Sequence, residues 1–260
     1  MRKLLWILIL AIILSLGLFI YQKLHRQKLW QPQPGTSWQW QLSGDIDTAI
    51  DVEMYDIDLF DTSKETIRAL QKDGKIVICY FSAGSYEDWR PDKGQFPKKL
   101  LGRKMEDWDE LWLDIRDLKT LGPIMVARLE LAQSKGCDGV EADNVDGYQN
   151  NSGFNLTAKE QLTYNKFLAK EAHKRALSIG LKNDLDQVAQ LVKYFDWALN
   201  EQCFEYNECN KLLPFIKANK AVFGVEYELK PEAFCNKANK LNLDWLYKNY
   251  ELDSFRLSCR

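Results

Sequence analysis

A (β/α)8 TIM-type barrel behind an N-terminal hydrophobic helix is the architecture this sequence predicts, on three observations. Short apolar runs, eight in number, alternate with longer amphipathic stretches. Several runs are apolar at every position, as strands covered on both faces are, which favours a closed parallel barrel over an open sheet. Carboxylates gather just past the ends of the runs, where a parallel barrel opens its mouth.

The elements follow in order. Leu4 to Tyr21 carries no charge and lies between Arg2-Lys3 and Lys23, His25, Arg26 and Lys28. At about 1.5 Å per residue it would span about 27 Å as a helix, close to the thickness of a hydrocarbon core. Residues 1–30 therefore read as an uncleaved signal-anchor or a cleaved signal peptide. Residues 31–37 (QPQPGTS) form a linker of turn formers, and 38–260 the barrel domain. Its strands are expected at Trp38–Leu42, Val52–Ile57, Ile76–Phe81, Leu111–Ile115, Gly139–Asp143, Ser178–Lys182, Phe195–Leu199 and Ala221–Val225. Helical patterns fill Thr62–Lys72, Leu118–Ser134 and Thr157–Ala176, the last with Glu160 three residues beyond a capping Thr157.

Composition narrows the function. With 46% hydrophobic and 28% charged residues the chain is globular, and nine Trp, eleven Tyr and twelve Phe suit a cleft that stacks on flat, half-apolar ligands such as sugar rings. Beyond residue 30 the balance is about −7, which excludes a nucleic-acid binder and favours a neutral or cationic ligand. With His25 and His173 as the sole histidines, no metal, no cofactor and no serine triad are expected. Cys203, Cys209, Cys235 and Cys259 crowd the last 58 residues and read as disulfides of an exported, extracytoplasmic domain, with 203–209 and 235–259 the preferred pairs. Cys79 and Cys137 lie in apolar contexts and read as buried thiols.

Five predicted strand ends deliver acids to one mouth: Asp56 and Asp58; Glu141, Asp143 and Asp146; Asp184; Glu201; and Glu226. Cleaving a glycosidic bond needs two carboxyl groups, one to protonate the leaving oxygen and one to attack the anomeric carbon or activate water. Crowded acids push their pKa values apart, so that one keeps its proton near neutrality. Asp143 and Glu201 are the expected pair, with Asp143 as nucleophile and Glu201 as acid/base, or the two roles reversed. Asn144, Gln202, Lys182, Ser82, Tyr80, Tyr86, Tyr206 and Tyr227 are the expected substrate contacts. A barrel that binds polysaccharide without cutting it is the alternative reading.

The strings VEMYDIDLFDTS, VICYFSAGSYEDWRPD, CDGVEADNVDGY, LKND, ALNEQCFEYNEC and VFGVEYE resemble glycoside hydrolase family 114 from about Trp38 to Cys259. The resemblance implies a (β/α)8 fold and endo-α-1,4-polygalactosaminidase activity on a partly deacetylated, cationic galactosamine polymer. It also implies a retaining mechanism with Asp143 as nucleophile and Glu201 as acid/base. The mouth formed by Asp56, Asp58, Glu141, Asp146, Asp184 and Glu226 would suit the ammonium groups of such a polymer. A monomer is expected.

Overall fold

A computed structural model describes residues 29–260. The expected signal or anchor at residues 1–30 falls almost wholly outside the described residues. In chain order the elements are β1 (Trp38–Gln41), β2 (Met54–Asp58), α1 (Lys64–Lys72) and β3 (Ile76–Ser82); then β4 (Ser85–Glu87), β5 (Leu101–Lys104), β6 (Glu110–Leu113) and α2 (Leu118–Lys135). There follow β7 (Gly139–Asp143), α3 (Ala158–Lys174), β8 (Ser178–Lys182), α4 (Val188–Leu191), β9 (Trp197–Glu201) and α5 (Leu213–Lys217). The chain closes with β10 (Val222–Glu226), α6 (Pro231–Lys240), β11 (Asp244–Tyr247) and β12 (Leu257–Ser258).

Local sequence sets the helix starts. Ser63 caps α1 by accepting from Thr66 N, and Asp117 caps α2 through Thr120 N. Thr157 and Glu160 form the reciprocal capping box that their spacing predicts.

Eight strands run parallel in the order β1-β2-β3-β7-β8-β9-β10-β11, and β12 adds antiparallel to β11. The sheet curls until its ends approach. Trp38 of β1 packs against Phe223 of β10 with ring centroids 5.0 Å apart, although five strands separate them in the sheet. The seam between β1 and β11 carries no backbone ladder among the described residues. Side chains and the tail bridge it instead: Trp38 Nε1 donates to Asp244 O at 3.0 Å, and Gln39 Nε2 to Ser254 O at 2.9 Å.

Alternation along the strands divides the core into two layers. Trp38, Met54, Ile78, Trp197, Leu199, Phe223 and Val225 fill the concave face. Tyr55, Ile57, Val77, Phe81, Val140, Ile179 and Leu181 face the helices. Gly180 takes an inward position because the Trp197 indole occupies the space of a side chain there, 2.3 Å from where a Cβ would sit.

Two strand assignments change. The run expected as a barrel strand at Leu111–Ile115 contributes instead to β6, centre of a three-stranded antiparallel sheet with β4 and β5. A short apolar run carries no mark of which sheet it joins, and this one pairs with neighbours in its own excursion. The eighth barrel strand is β11, which was not predicted. Its four residues follow a turn at Asn242, whose φ is 59°, and three of them are buried.

Disulfides join Cys203–Cys209 and Cys235–Cys259, as the spacing led us to expect. Cys79 and Cys137 are a correction: they are not thiols but a third disulfide, with Cα atoms 6.1 Å apart. An apolar setting is the same for a thiol and a buried disulfide, and this pairing exists because β3 and β7 are neighbours across the whole β4–α2 excursion. Three disulfides place the folded domain in an oxidising compartment. Closing a loop of separation 58 removes unfolded-state entropy equivalent to about 4 kcal/mol. The double variant Cys79→Ala/Cys137→Ala should lose about 2–4 kcal/mol in denaturant unfolding, and an unchanged midpoint would refute a stabilising role for this bond.

Candidate active site

At the carboxyl ends of the strands the inward positions change from apolar to ionisable. Asp56 (β2), Tyr80 (β3), Glu141 and Asp143 (β7), Lys182 (β8) and Glu201 (β9) share the parity of the concave core, with Tyr227 one residue past β10. The Lys182 ammonium is their centre. It lies 2.9 Å from Glu141 Oε1, 3.0 Å from Asp143 Oδ1 and 3.2 Å from Glu201 Oε2, and 4.7 Å from the centroid of the Trp40 ring. Burial alone would lower its pKa, but the charges of Asp143, Glu141 and Glu201 hold it well above the ordinary lysine range.

Left-handed backbone follows three successive strands. Asn144 has φ 61°, Asn183 47°, Asp184 44° and Gln202 61°. Asn and Asp tolerate that region better than other side chains, so the chain turns away as soon as the last inward residue has been delivered. Behind Asp143 the backbones of Ala83 and Gly84 donate to its carbonyl at 2.8 and 3.0 Å. Gly84 permits that approach, because any Cβ would fall 1.6 Å from Asn144 O. The stretch Ser82–Ser85 is thus a support: Asn144 Nδ2 donates to Ser82 Oγ at 2.9 Å, and Ser85 Oγ donates to Glu110.

Glu201 is held on both carboxylate oxygens. Tyr227 OH donates to Oε1 at 2.5 Å, and Asn183 Nδ2 lies 3.4 Å from Oε2. Burial pushes this carboxyl up, but the Lys182 charge and the hydrogen bonds from Tyr227, Lys182 and Asn183 outweigh it and leave it below the ordinary glutamate range. Asp146 moves the other way, up to about 6, through burial and then the charge of Asp143. Asp184 is pushed up to about 8 by burial and by Asp146, against hydrogen bonds from Asn165 and Tyr148.

A cavity of about 290 Å3 opens over the Lys182 cluster, lined by Trp40, Tyr80, Glu110, Asp143, Asn144, Asp146, Asn183, Glu201 and Leu252, among others. Trp108, Asp146 and Asn183 also line two adjoining hollows of about 640 and 390 Å3, so the whole forms one groove. Tyr206 and Gln202 border the larger hollow, where Gln202 Nε2 donates to Glu205 at 2.8 Å. Aromatic faces stand along this groove. Trp108 and Tyr206 are 56% and 64% exposed, and Tyr250 stacks on Tyr227 at 4.3 Å. Acids outnumber bases along its walls, which suits a cationic ligand. Among the described residues no group of His, Cys, Asp and Glu is arranged to hold a metal ion.

Not every expected residue reaches the groove: Asp56 and Glu141 are fully buried and do not line it. Asp58 is clamped by Arg90, with contacts of 3.0 and 2.7 Å, and belongs to a buried ion network with Glu87. Glu226 has the opposite parity to Val225 and Tyr227, so it faces outward and accepts from Phe204 N at 2.9 Å and Trp245 Nε1 at 3.3 Å. Tyr86 packs edge-on against Phe96. Ser82 is buried behind the wall rather than lining it. Sequence reasoning missed Glu110, Trp108 and the tail residues Tyr250–Leu252. The first two come from the excursion and the last from a segment without regular structure. Asn183, between two expected contacts, could have been found from its place beside Lys182.

Residues 21–260 match the profile of glycoside-hydrolase family GH114. The crystal structure of Ega3 from Aspergillus fumigatus in complex with galactosamine is 44% identical over 88% of this chain and 97% of that one, with a TM-score of 0.85. The glycoside hydrolase domain of PelA from Pseudomonas aeruginosa superposes with a TM-score of 0.68 over 85% of this chain and 98% of that one. Acarbose-bound α-amylase from Geobacillus thermoleovorans gives 0.51 over 83% and 66%. At 12% and 10% identity these two share the fold alone. No curated protein matches the chain. A profile that spans nearly the entire chain, and a relative this similar over nearly its full length, make this chain a member of glycoside-hydrolase family GH114.

Proposed function

We propose that this glycoside hydrolase cleaves α-1,4-linked, galactosamine-rich polysaccharide by a retaining mechanism, with Asp143 as nucleophile and Glu201 as acid/base. One observation carries the chemistry: a single ammonium, Lys182, touches an oxygen of each carboxylate, at 3.0 and 3.2 Å. Those two oxygens are therefore no more than about 6 Å apart, near the separation of retaining enzymes and short of the gap that inverting enzymes keep for a water. Support for the substrate comes from the galactosamine complex of the similar Ega3 and from the acids Asp146, Glu110 and Glu251 along the groove.

In this reading Asp143 attacks the anomeric carbon while Glu201 gives its proton to the departing oxygen. Glu201, now a carboxylate, takes a proton from water, and that water releases the sugar from Asp143. Lys182 stabilises whichever carboxylate is charged. Tyr250, Tyr206 and Trp108 offer sugar rings their faces. Residues 1–30 carry the domain out of the cytoplasm as signal-anchor or cleaved signal, 31–37 are the linker, and 38–260 act as a monomer.

Three outcomes are expected. Asp143→Asn and Glu201→Gln should each lose on the order of 10^3-fold or more in turnover while remaining folded. The assay is release of oligomers from partly deacetylated α-1,4-galactosaminogalactan, with chitosan and α-1,4-polygalacturonate as controls; activity retained by both variants would reject the pair. Reducing ends followed by NMR should first appear as the α anomer, and an initial β anomer would exclude retention. Because Glu201 is held below the ordinary glutamate range, its proton is lost early as pH rises. The basic limb of kcat/KM should therefore lie on the acid side of neutrality and move up by about one unit or more in Lys182→Met. A limb that ignores Lys182 would assign the acid role elsewhere.

A further inference from the structure

Beneath the proposed catalytic pair lies a second pair of carboxyl groups that the mechanism does not use. Asp56 and Glu141 are both 0% exposed. Among the described residues both Asp56 oxygens and Glu141 Oε2 have no N–H or O–H donor, whereas Glu141 Oε1 accepts from Lys182 at 2.9 Å. Both side chains point into the concave side of the sheet near the carboxyl ends of β2 and β7. Burial, the charge of Glu141 and a side-chain hydrogen bond to it raise the Asp56 pKa, and no cation touches Asp56 among the described residues. Two buried carboxylates cannot both stay ionised in contact when one ammonium serves only the second. A proton between them joins two of these three orphan oxygens in one strong hydrogen bond.

We propose that Asp56 and Glu141 hold one proton between them, Asp56 as the neutral acid donating to the Glu141 carboxylate. Asp56 is thereby a positioning residue that orients Glu141. Burial pushes the Glu141 carboxyl up to about 7, against the charge of Lys182 and the hydrogen bond from Asp56. Glu141 in turn takes up part of the Lys182 charge that would otherwise fall on Asp143 and Glu201. Burial, and then the charge of Glu141, raise the Asp56 pKa well above the aspartate range, in keeping with this state. The other groups facing the pair and its lysine are Asp143 on the same strand as Glu141, Asp146 just beyond it, Tyr80 from β3, Glu110 from β6, Trp40 from β1, Glu201 from β9 and Tyr227 beyond β10.

The kinetic consequence rests on the assignment of Glu201 as the acid. Glu141→Gln removes a negative charge near Glu201 and leaves Lys182 less divided. Both effects hold the Glu201 proton more loosely, so the basic limb of kcat/KM should move down by about one pH unit. Asp56→Asn replaces a neutral donor by a neutral donor and should leave that limb where it stands, whatever its rate. A downward shift in Asp56→Asn matching that in Glu141→Gln would mean an ionised Asp56 and overturn the proposal, as would no shift in either. A second readout needs no substrate. At neutral pH the infrared difference between wild type and Asp56→Asn should show the carbonyl stretch of one protonated carboxylic acid. A difference without that band overturns the shared proton even if the polymer assignment stands. The band present in an enzyme inactive on every polymer would keep the pair while rejecting the substrate reading.

Discussion

Everything at the mouth of this fold is arranged about one buried ammonium. Lys182 is 1% exposed, and a lone charge at that depth costs several kcal/mol even after relaxation. It is tolerable because, on either side of its own strand, β7 brings two carboxylates to it and β9 one, and because the Trp40 face lies against it. The dependence is mutual. Without Lys182, Glu141, Asp143 and Glu201 would repel one another at the carboxyl ends of their strands. The cluster ties three neighbouring strands at their carboxyl ends with charge, and the apolar layer of Trp38, Trp197 and Phe223 ties the same sheet from below.

The support of the cluster is local geometry rather than further charge. Asn144, Asn183, Asp184 and Gln202 adopt left-handed backbone directly after the strands. The Asn183 side chain uses its position fully: its oxygen accepts from Glu201 N at 3.0 Å and from Asn200 Nδ2 at 3.1 Å, and its amide approaches the Glu201 carboxylate. Strain in the backbone and precision in the side chains are two aspects of one arrangement, because a strand that ended gradually could not present its last residue at a fixed height.

Much of this was legible in the sequence because short apolar runs spaced by longer amphipathic stretches are a strong signal. Seven of the eight barrel strands are found by their apolar runs, and the gathering of acids at one end identifies the mouth. Parity could have refined the reading further. Phe223, Val225 and Tyr227 face inward, so Glu226 must face outward, and the sequence contains that information. Other features were not legible. Asp58 has the right parity, but Arg90, more than thirty residues away, claims it. Glu110 and the Cys79–Cys137 bond depend on how the excursion between β3 and β7 packs, and nothing local encodes that. Asp244–Tyr247 is too short and too near the tail to stand out by pattern alone.

One wall of the groove comes from the tail. Tyr250, Glu251 and Leu252 line the cavity, and Leu252 holds a left-handed backbone with φ 48° while its carbonyl accepts from Leu42 N and Ser43 N. Beyond that wall the tail is fastened by the two-residue β12 ladder and by Cys235–Cys259. The order of synthesis therefore matters. The carboxylates of β7 and β9 emerge from the ribosome well before the wall that completes their groove, and the clasp that secures the wall forms only where thiols are oxidised. A reduced chain has all of its acids but lacks the covalent fastening of its cleft, so the wall is fully secured only where this disulfide can form.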